Sequence, residues 1–253
     1  MLRKLSGKIL YGSKTDRGLC RNVNQDAIWG AVRDSMGLFV LSDGMGGHSQ
    51  GELASSAIVS VFQNYWAQIS SMRVLPEAPV MEEQIQQLLL QANADVYHRY
   101  NQGQICGATV AVLLIYGDHY RVFWVGDSRI YTVYFGGKQQ ITVDDIWDLD
   151  PETIRRYSEA EIRQSANNGM LTQAMGTNRT VNIHTLSGGI KPGQVFLLCS
   201  DGLYKFCEEK SIYRIMKAFK SEKCIPDVLQ QLTDIVFSNG AGDNISIMLI
   251  KIL

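Results

Sequence analysis

Four apolar, β-branched runs in this chain each abut an aspartate flanked by small residues. GLFVLSDG ends at Asp43, YRVFWVGDS at Asp127 and VFLLCSDG at Asp201, while GDNISIMLI starts from Asp243. One Asp-Gly after a strand is a turn signal, because the aspartate side chain bonds its own backbone and tolerates a left-handed conformation. Four such positions ask for more than turn chemistry. If buried strands carry these carboxylates to a common place, the like charges raise each other's pKa and repel. A bound cation resolves that conflict.

The ligand type narrows the cation. Aspartate oxygens and carbonyls beside glycines suit hard Mg²⁺ or Mn²⁺ rather than zinc. The chain has only four histidines, and its five cysteines (Cys20, Cys106, Cys199, Cys207 and Cys224) form no Cys-x-x-Cys pair. They read as reduced, buried thiols, not as a disulfide framework or a zinc site. Two hard ions about 3.5–4 Å apart would lower the pKa of a water and neutralise charge at a phosphoryl group, so phosphate ester hydrolysis is the chemistry this set favours. Around Asp43 the segment LSDGMGGHSQGE carries Gly44, Gly46 and Gly47, which let backbone approach a ligand closely. It is not a nucleotide loop, because the third glycine of Gly-x-Gly-x-x-Gly and the Gly-Lys-Ser/Thr of a P-loop are both missing. Arg21 stands five residues before Asp26, and a guanidinium fork fits the oxygens of a phosphate.

Lys+Arg 24 against Asp+Glu 25 gives a net charge of −1, without the basic excess that a nucleic-acid partner requires. The longest apolar runs, such as Val110–Tyr116, fall far below the ~20 residues of a membrane-spanning helix. The opening MLRKLSGKILYGS lacks a continuous apolar core and a small-residue cleavage site, so a cytoplasmic protein is expected. With 253 residues, 45% hydrophobic, and no linker, repeat or charge block, residues 1–253 read as one domain.

Ala27–Val32 and Leu38–Leu41 read as a hairpin, and two amphipathic helices follow over about 53–69 and 85–100. Thr109–Tyr116, Tyr120–Val125, Arg129–Phe135 and Lys138–Thr142 read as one antiparallel meander, with Gly126-Asp127-Ser128 as one of its turns. Residues 143–170 break into a mostly polar flap with one short helix near 158–166. A strand at Gln194–Cys199, two helices near 208–220 and 225–237, and a strand at Asn244–Ile252 close the chain. Strand clusters separated by helical pairs point to antiparallel sheets packed with helices.

In order along the chain stand TDRGLCRNVNQDA, LSDGMGGHSQGELAS, GATVAVLLI, VGDSRIY, LTQAMG, LLCSDGL and GDNISIMLI. Together they resemble the metal-dependent protein phosphatases of the protein phosphatase 2C type, in their compact bacterial form. The resemblance implies an α+β fold: a four-layer αββα sandwich of two antiparallel β-sheets flanked by helices, with Mn²⁺ or Mg²⁺ at one edge, two ions in the core site and a third more weakly held. It places Asp43 between the two core ions, the carbonyl of Gly44 on the second, and Asp201 and Asp243 on the first. Asp26 would hold the waters around the pair, and Asp127 with Asp201 would support the third ion. Arg21 would bind the substrate phosphate and His48 is the candidate proton donor. A solvent molecule readied by the ions would attack phosphorus in line, without a phosphoenzyme.

The implied activity is hydrolysis of phosphoserine and phosphothreonine on proteins, reversing a bacterial Ser/Thr kinase. Expected partners are phosphorylated proteins, including such a kinase or its targets, with no nucleic acid and no membrane, and the chain acting as a monomer. A catalytically silent phosphoprotein-binding adaptor of the same fold is the alternative; it predicts loss of a metal carboxylate, and Asp26, Asp43, Asp201 and Asp243 are all present. A nucleotide or nucleic-acid phosphohydrolase would want a basic or aromatic channel, which the sequence does not show. Gln25, Ala108 and Gln173 depart from the residues common in this family, and the latter two bear on substrate contact or packing.

Overall fold

The computed structural model describes residues 9–46, 50–100 and 105–253. Its first half holds β1 (Ile9–Asp16), β2 (Asp26–Arg33), β3 (Met36–Gly46), α1 (Gln50–Ser70), α2 (Ala78–Tyr100), β4 (Cys106–Ala108), β5 (Val110–Tyr116) and β6 (His119–Val125). Then come β7 (Arg129–Tyr134), β8 (Gly137–Gln140), α3 (Pro151–Arg156), α4 (Glu159–Gln164) and β9 (His184–Gly189). The chain closes with β10 (Val195–Cys199), α5 (Asp201–Tyr204), α6 (Glu209–Ala218), α7 (Ile225–Ser238) and β11 (Ile245–Ile252).

The strands form two antiparallel sheets, one in the order β1-β11-β10-β7-β8 and the other β2-β3-β5-β6-β9, with β4 paired to β3. Side-chain alternation explains why the central strands are apolar throughout. On β3, Leu38 and Val40 pack under α1 and α2, while Phe39 and Leu41 point the other way, into a layer between the sheets. On β10, Val195 and Leu197 meet α6 and α7, and Phe196 and Leu198 enter the same inter-sheet layer. Three stacked cores therefore separate four layers, which is the expected αββα sandwich. No helix among the described residues is long and apolar enough to cross a membrane.

One expectation is corrected. The strands from Val110 to Gln140 are not a single meander: β5 and β6 pair in one sheet, β7 and β8 in the other. Gly126-Asp127-Ser128 is the crossing between sheets. Gly126 adopts φ +97° there, and its N–H donates to Asp145 Oδ2 at 2.8 Å. A glycine-rich turn between two apolar runs has the same local pattern whether the second strand returns beside the first or joins another sheet. Only the partner that each strand pairs with, a tertiary property, distinguishes the two cases.

The segment 143–170 carries α3 as well as the expected helix near 158. Asp150 caps α3 by accepting from the N–H groups of Glu152 and Thr153, with Pro151 opening the helix. Ser158 and Glu161 form a capping box on α4. All five cysteines are free thiols; Cys106, Cys199 and Cys207 are buried, as expected, whereas Cys20 is exposed and Cys224 partly so.

Leu198 is wholly buried between the sheets. Its replacement by alanine is expected to cost about 3 kcal/mol, read as a lower urea midpoint at unchanged slope. A loss below about 1 kcal/mol would show that this layer is not close-packed.

Candidate metal centre

The row of inter-sheet side chains on β3 runs Phe39, Leu41 and then, two residues on, Asp43. Alternation along the strand continues the dry layer into a carboxylate. Asp26, the first residue of β2, lies directly opposite Asp43 in the β2–β3 register. Like charges set opposite each other across a strand pair are destabilising.

Neighbouring strands bring the remaining acids. Asp201 opens α5 directly after β10, and Asp243 sits just before β11, the strand paired with β10. Asp127 arrives on the crossing between the sheets. Arg21, Asp43, Gly44, Asp127, Asp201, Lys205, Asp243 and Asn244 line one cleft of about 260 Å³. Gly169 and Leu171, where the 143–170 segment ends, line it too.

Burial and mutual repulsion mark the cluster. Asp43 is pushed well above the usual carboxylate range, first by burial and then by the charges of Asp26, Asp201, Asp127 and Asp243. Burial pushes Asp26 up to about 6, although the hydroxyls of Ser246 and Ser200 work against the rise. Asp127 also rises to about 6 through burial and the nearby Asp201, with the Tyr204 hydroxyl opposing.

Partners hold several of these groups. Ser200 Oγ donates to Asp26 Oδ2 at 2.8 Å. Arg21 Nη2 donates to Asp243 Oδ2 at 2.7 Å, and Lys205 Nζ to Asp201 Oδ2 at 2.5 Å. Tyr204 Oη donates to Asp127 Oδ2 at 3.0 Å. Asp43 is fixed through its backbone: its N–H donates to Thr109 Oγ1 at 3.0 Å, and its carbonyl accepts from Thr109 N–H at 2.8 Å. Asn244 ties the Arg21 loop down, donating to the carbonyls of Arg17 and Val23 and accepting from the N–H of Gln25. At Gly44 only glycine fits, since a Cβ would lie 2.2 Å from the carbonyl oxygen of Gly51.

These residues suit a hard divalent ion. The donors are carboxylate oxygens, and Asp26 Oδ1 is buried without a hydrogen-bond partner. Among the described residues, no group of three or more His, Cys, Asp or Glu side chains is already set to grip an ion. Asp201 and Asp243 are turned instead toward Lys205 and Arg21.

The structure thus gathers Arg21, Asp26, Asp43, Gly44, Asp127, Asp201 and Asp243 from the sequence expectations, while His48 lies outside the described residues. Sequence reasoning missed Thr109, Ser200, Tyr204 and Lys205. Thr109 and Ser200 had a visible signal, each being polar inside or at the end of an apolar run. Gln173 packs: its amide donates to Asp145 Oδ2 at 2.9 Å and accepts from the N–H of Asn182. Ala108 forms an antiparallel bridge with Met175.

Comparison with known proteins gives the context of this geometry. Residues 20–246 match the family described as Protein phosphatase 2C. The serine/threonine phosphatase stp of Listeria monocytogenes is 26% identical over 247 residues, covering 94% of each chain. The S. agalactiae serine/threonine phosphatase structure superposes with a TM-score of 0.83 at 25% identity, covering 96% of this chain and 99% of that one. The catalytic domain of the phosphatase PstP, solved in complex with 2 manganese ions, shares the fold with a TM-score of 0.77 at 22% identity, covering 97% and 98%. The chain belongs to the protein phosphatase 2C family, the metal-dependent serine/threonine protein phosphatases.

Proposed function

We propose that this chain hydrolyses phosphoserine and phosphothreonine on proteins at the Asp43 cleft, with two Mn²⁺ or Mg²⁺ ions as its cofactor, and so reverses a Ser/Thr kinase. The observation that carries this reading is Asp43 meeting Asp127, Asp201 and Asp243 in one cleft with an arginine at its edge, and Asp26 in register beside Asp43. The manganese reported in PstP supports the choice of ion.

Asp43, the carbonyl of Gly44, Asp201 and Asp243 would hold the ions, and Asp26, with its unpartnered Oδ1, would order the waters around them. Such ions supply an activated water and neutralise charge on the phosphoryl group. The chain's own groups do the positioning. Arg21, half-exposed in the cleft, presents a guanidinium to the substrate phosphate. Thr109 clamps the backbone of Asp43 from both sides, so the carboxylate keeps its place when charge in the cleft changes. His48 is the candidate proton donor to the leaving serine or threonine oxygen.

Phosphate release from a phosphothreonine peptide should require Mn²⁺ or Mg²⁺ and stop with chelator. Asp43→Asn and Asp201→Asn should each lower kcat/KM at least ~100-fold. Unchanged turnover in either variant would remove that residue from the metal assignment. Arg21→Ala should chiefly raise KM, as expected for a group that binds ground-state phosphate; an unaltered KM would make it a surface charge.

The acids also set the pH response of the metal-free chain. Folded Asp26 and Asp127 keep their protons up to about 6, against 3.8 for an ordinary aspartate. Between those values the folded state binds more protons than the unfolded one. Their stabilising contribution is therefore complete below 3.8 and is lost as pH rises through about 6. In chelator, calorimetric midpoints of Asp127→Asn should fall less than wild type between about pH 4 and pH 6.5. Parallel curves would show that Asp127 titrates normally.

A further inference from the structure

The acidic cleft holds a cation of its own. α5 is a single turn, and it sets Lys205 four residues after Asp201, where the two side chains share a face. The Lys205 N–H donates to the Asp201 carbonyl at 3.0 Å and its ammonium to Asp201 Oδ2 at 2.5 Å. The lysine side chain is half-exposed and lines the cleft, while that of Asp201 is only 14% exposed. The residue before it, Tyr204, donates to both the carboxylate and the carbonyl of Asp127. Tyr204 cannot swing away freely, because the Arg129 guanidinium stacks 3.6 Å from its ring centre and is bound bidentately by Asp144, whose side chain is 1% exposed. Two consecutive side chains at the end of α5 thus engage the two carboxylates, Asp127 and Asp201, to which the family resemblance assigns a third ion.

We propose that Lys205 is a resident counter-cation of the cluster: its ammonium holds Asp201 on the Asp127 side, so that a divalent ion reaches the Asp127–Asp201 pair only by displacing it. The inference rests on the metal-binding reading above and refines it for this chain, limiting the wild-type centre to the two core ions. Charge makes the lysine suited to the place. A single positive charge on a flexible stem offsets the repulsion between Asp201 and Asp127 without needing the several oxygen ligands that a divalent ion demands. Lys205 acts through Asp201 and is a positioning residue.

Mn²⁺ binding to the full chain, counted by equilibrium dialysis and by the electron paramagnetic resonance signal of free Mn²⁺, tests this directly. Wild type should bind two ions. Lys205→Met, which keeps the stem and removes the charge, should bind one more, at least about tenfold tighter than any further binding to wild type. Lys205→Arg should keep the wild-type count. Far-ultraviolet circular dichroism checks folding, and Lys205→Gln takes the place of the methionine variant should that variant not fold. The same count and affinity in wild type and the charge-free variant would overturn the proposal while leaving the two-ion reading intact, as would a third ion gained equally by Lys205→Arg. A change confined to KM for the phosphopeptide would also overturn it, making Lys205 a substrate contact. Wild type that binds no Mn²⁺ would overturn the metal reading and this proposal together.

Discussion

Two carboxylates in register across a strand pair are the constraint around which this molecule is built. Asp26 and Asp43 face each other where the dry layer between the sheets ends, and an oxygen of Asp26 lies buried without a partner. A buried polar group left unpaired costs about 1–3 kcal/mol, and a charged one more. Nothing in the packing of the sheets requires that arrangement, since an apolar pair would extend the inter-sheet layer at no electrostatic cost. The surrounding structure moderates the conflict without removing it. Ser200 donates to Asp26, Lys205 and Arg21 cover the outer acids, and the carboxyls that stay inside rise in pKa. A site kept under this tension would be relieved by a cation, which is the physical ground for the proposed metal centre.

Antiparallel sheets packed with helices and most of the acids were legible in the sequence because both rest on local signals: apolar runs of strand length, and aspartates beside small residues at their ends; the four-layer order came only from the family resemblance. The failures share a different cause. β1 is a strand for which the sequence analysis has no counterpart: it alternates buried and exposed residues and contains a glycine and a lysine, without an apolar run to mark it. Its glycine is tertiary in origin, because a Cβ on Gly12 would lie 2.2 Å from Ile225 Cγ2 on α7. The expected meander failed at Gly126 because strand and turn leave a local mark while the choice of partner strand does not. Lys205 carried no signal at all. A lysine after an Asp-Gly-Leu-Tyr turn is indistinguishable from a solvated surface charge until the fold shows what the turn faces.

The crossing that misled the sequence reading is also where the site is held most firmly. Asp145 accepts from Gly126 N–H at 2.8 Å and donates its own N–H to the Gly126 carbonyl at 3.1 Å, fixing the residue before Asp127. Tyr204 fixes Asp127 itself, and the Arg129–Asp144 pair fixes Tyr204. Asp144 and Asp145 are adjacent, so one dipeptide beyond β8 braces the carboxylate through two independent routes. Breaking a buried ion pair by deleting one partner typically costs about 3–5 kcal/mol, because the survivor is left uncompensated. The carboxylate on the crossing therefore owes its position to the 143–170 segment as much as to the sheets.

The same reasoning separates the arginines. Arg129 and Arg21 both bind an aspartate at 2.7 Å, and distance alone gives them equal standing. Burial does not. Asp144 is almost wholly inaccessible and Arg129 is committed to it through bidentate bonds and the Tyr204 ring, so that guanidinium is structural. The Arg21 side chain is 52% exposed and meets Asp243 through one nitrogen. An exposed pair of this kind is worth about 0–1 kcal/mol, less than a bidentate phosphate contact in a cleft returns. Arg21 could therefore exchange Asp243 for the proposed phosphate at little cost, and a divalent ion held by Asp243 would leave the carboxylate less negative charge with which to hold the guanidinium.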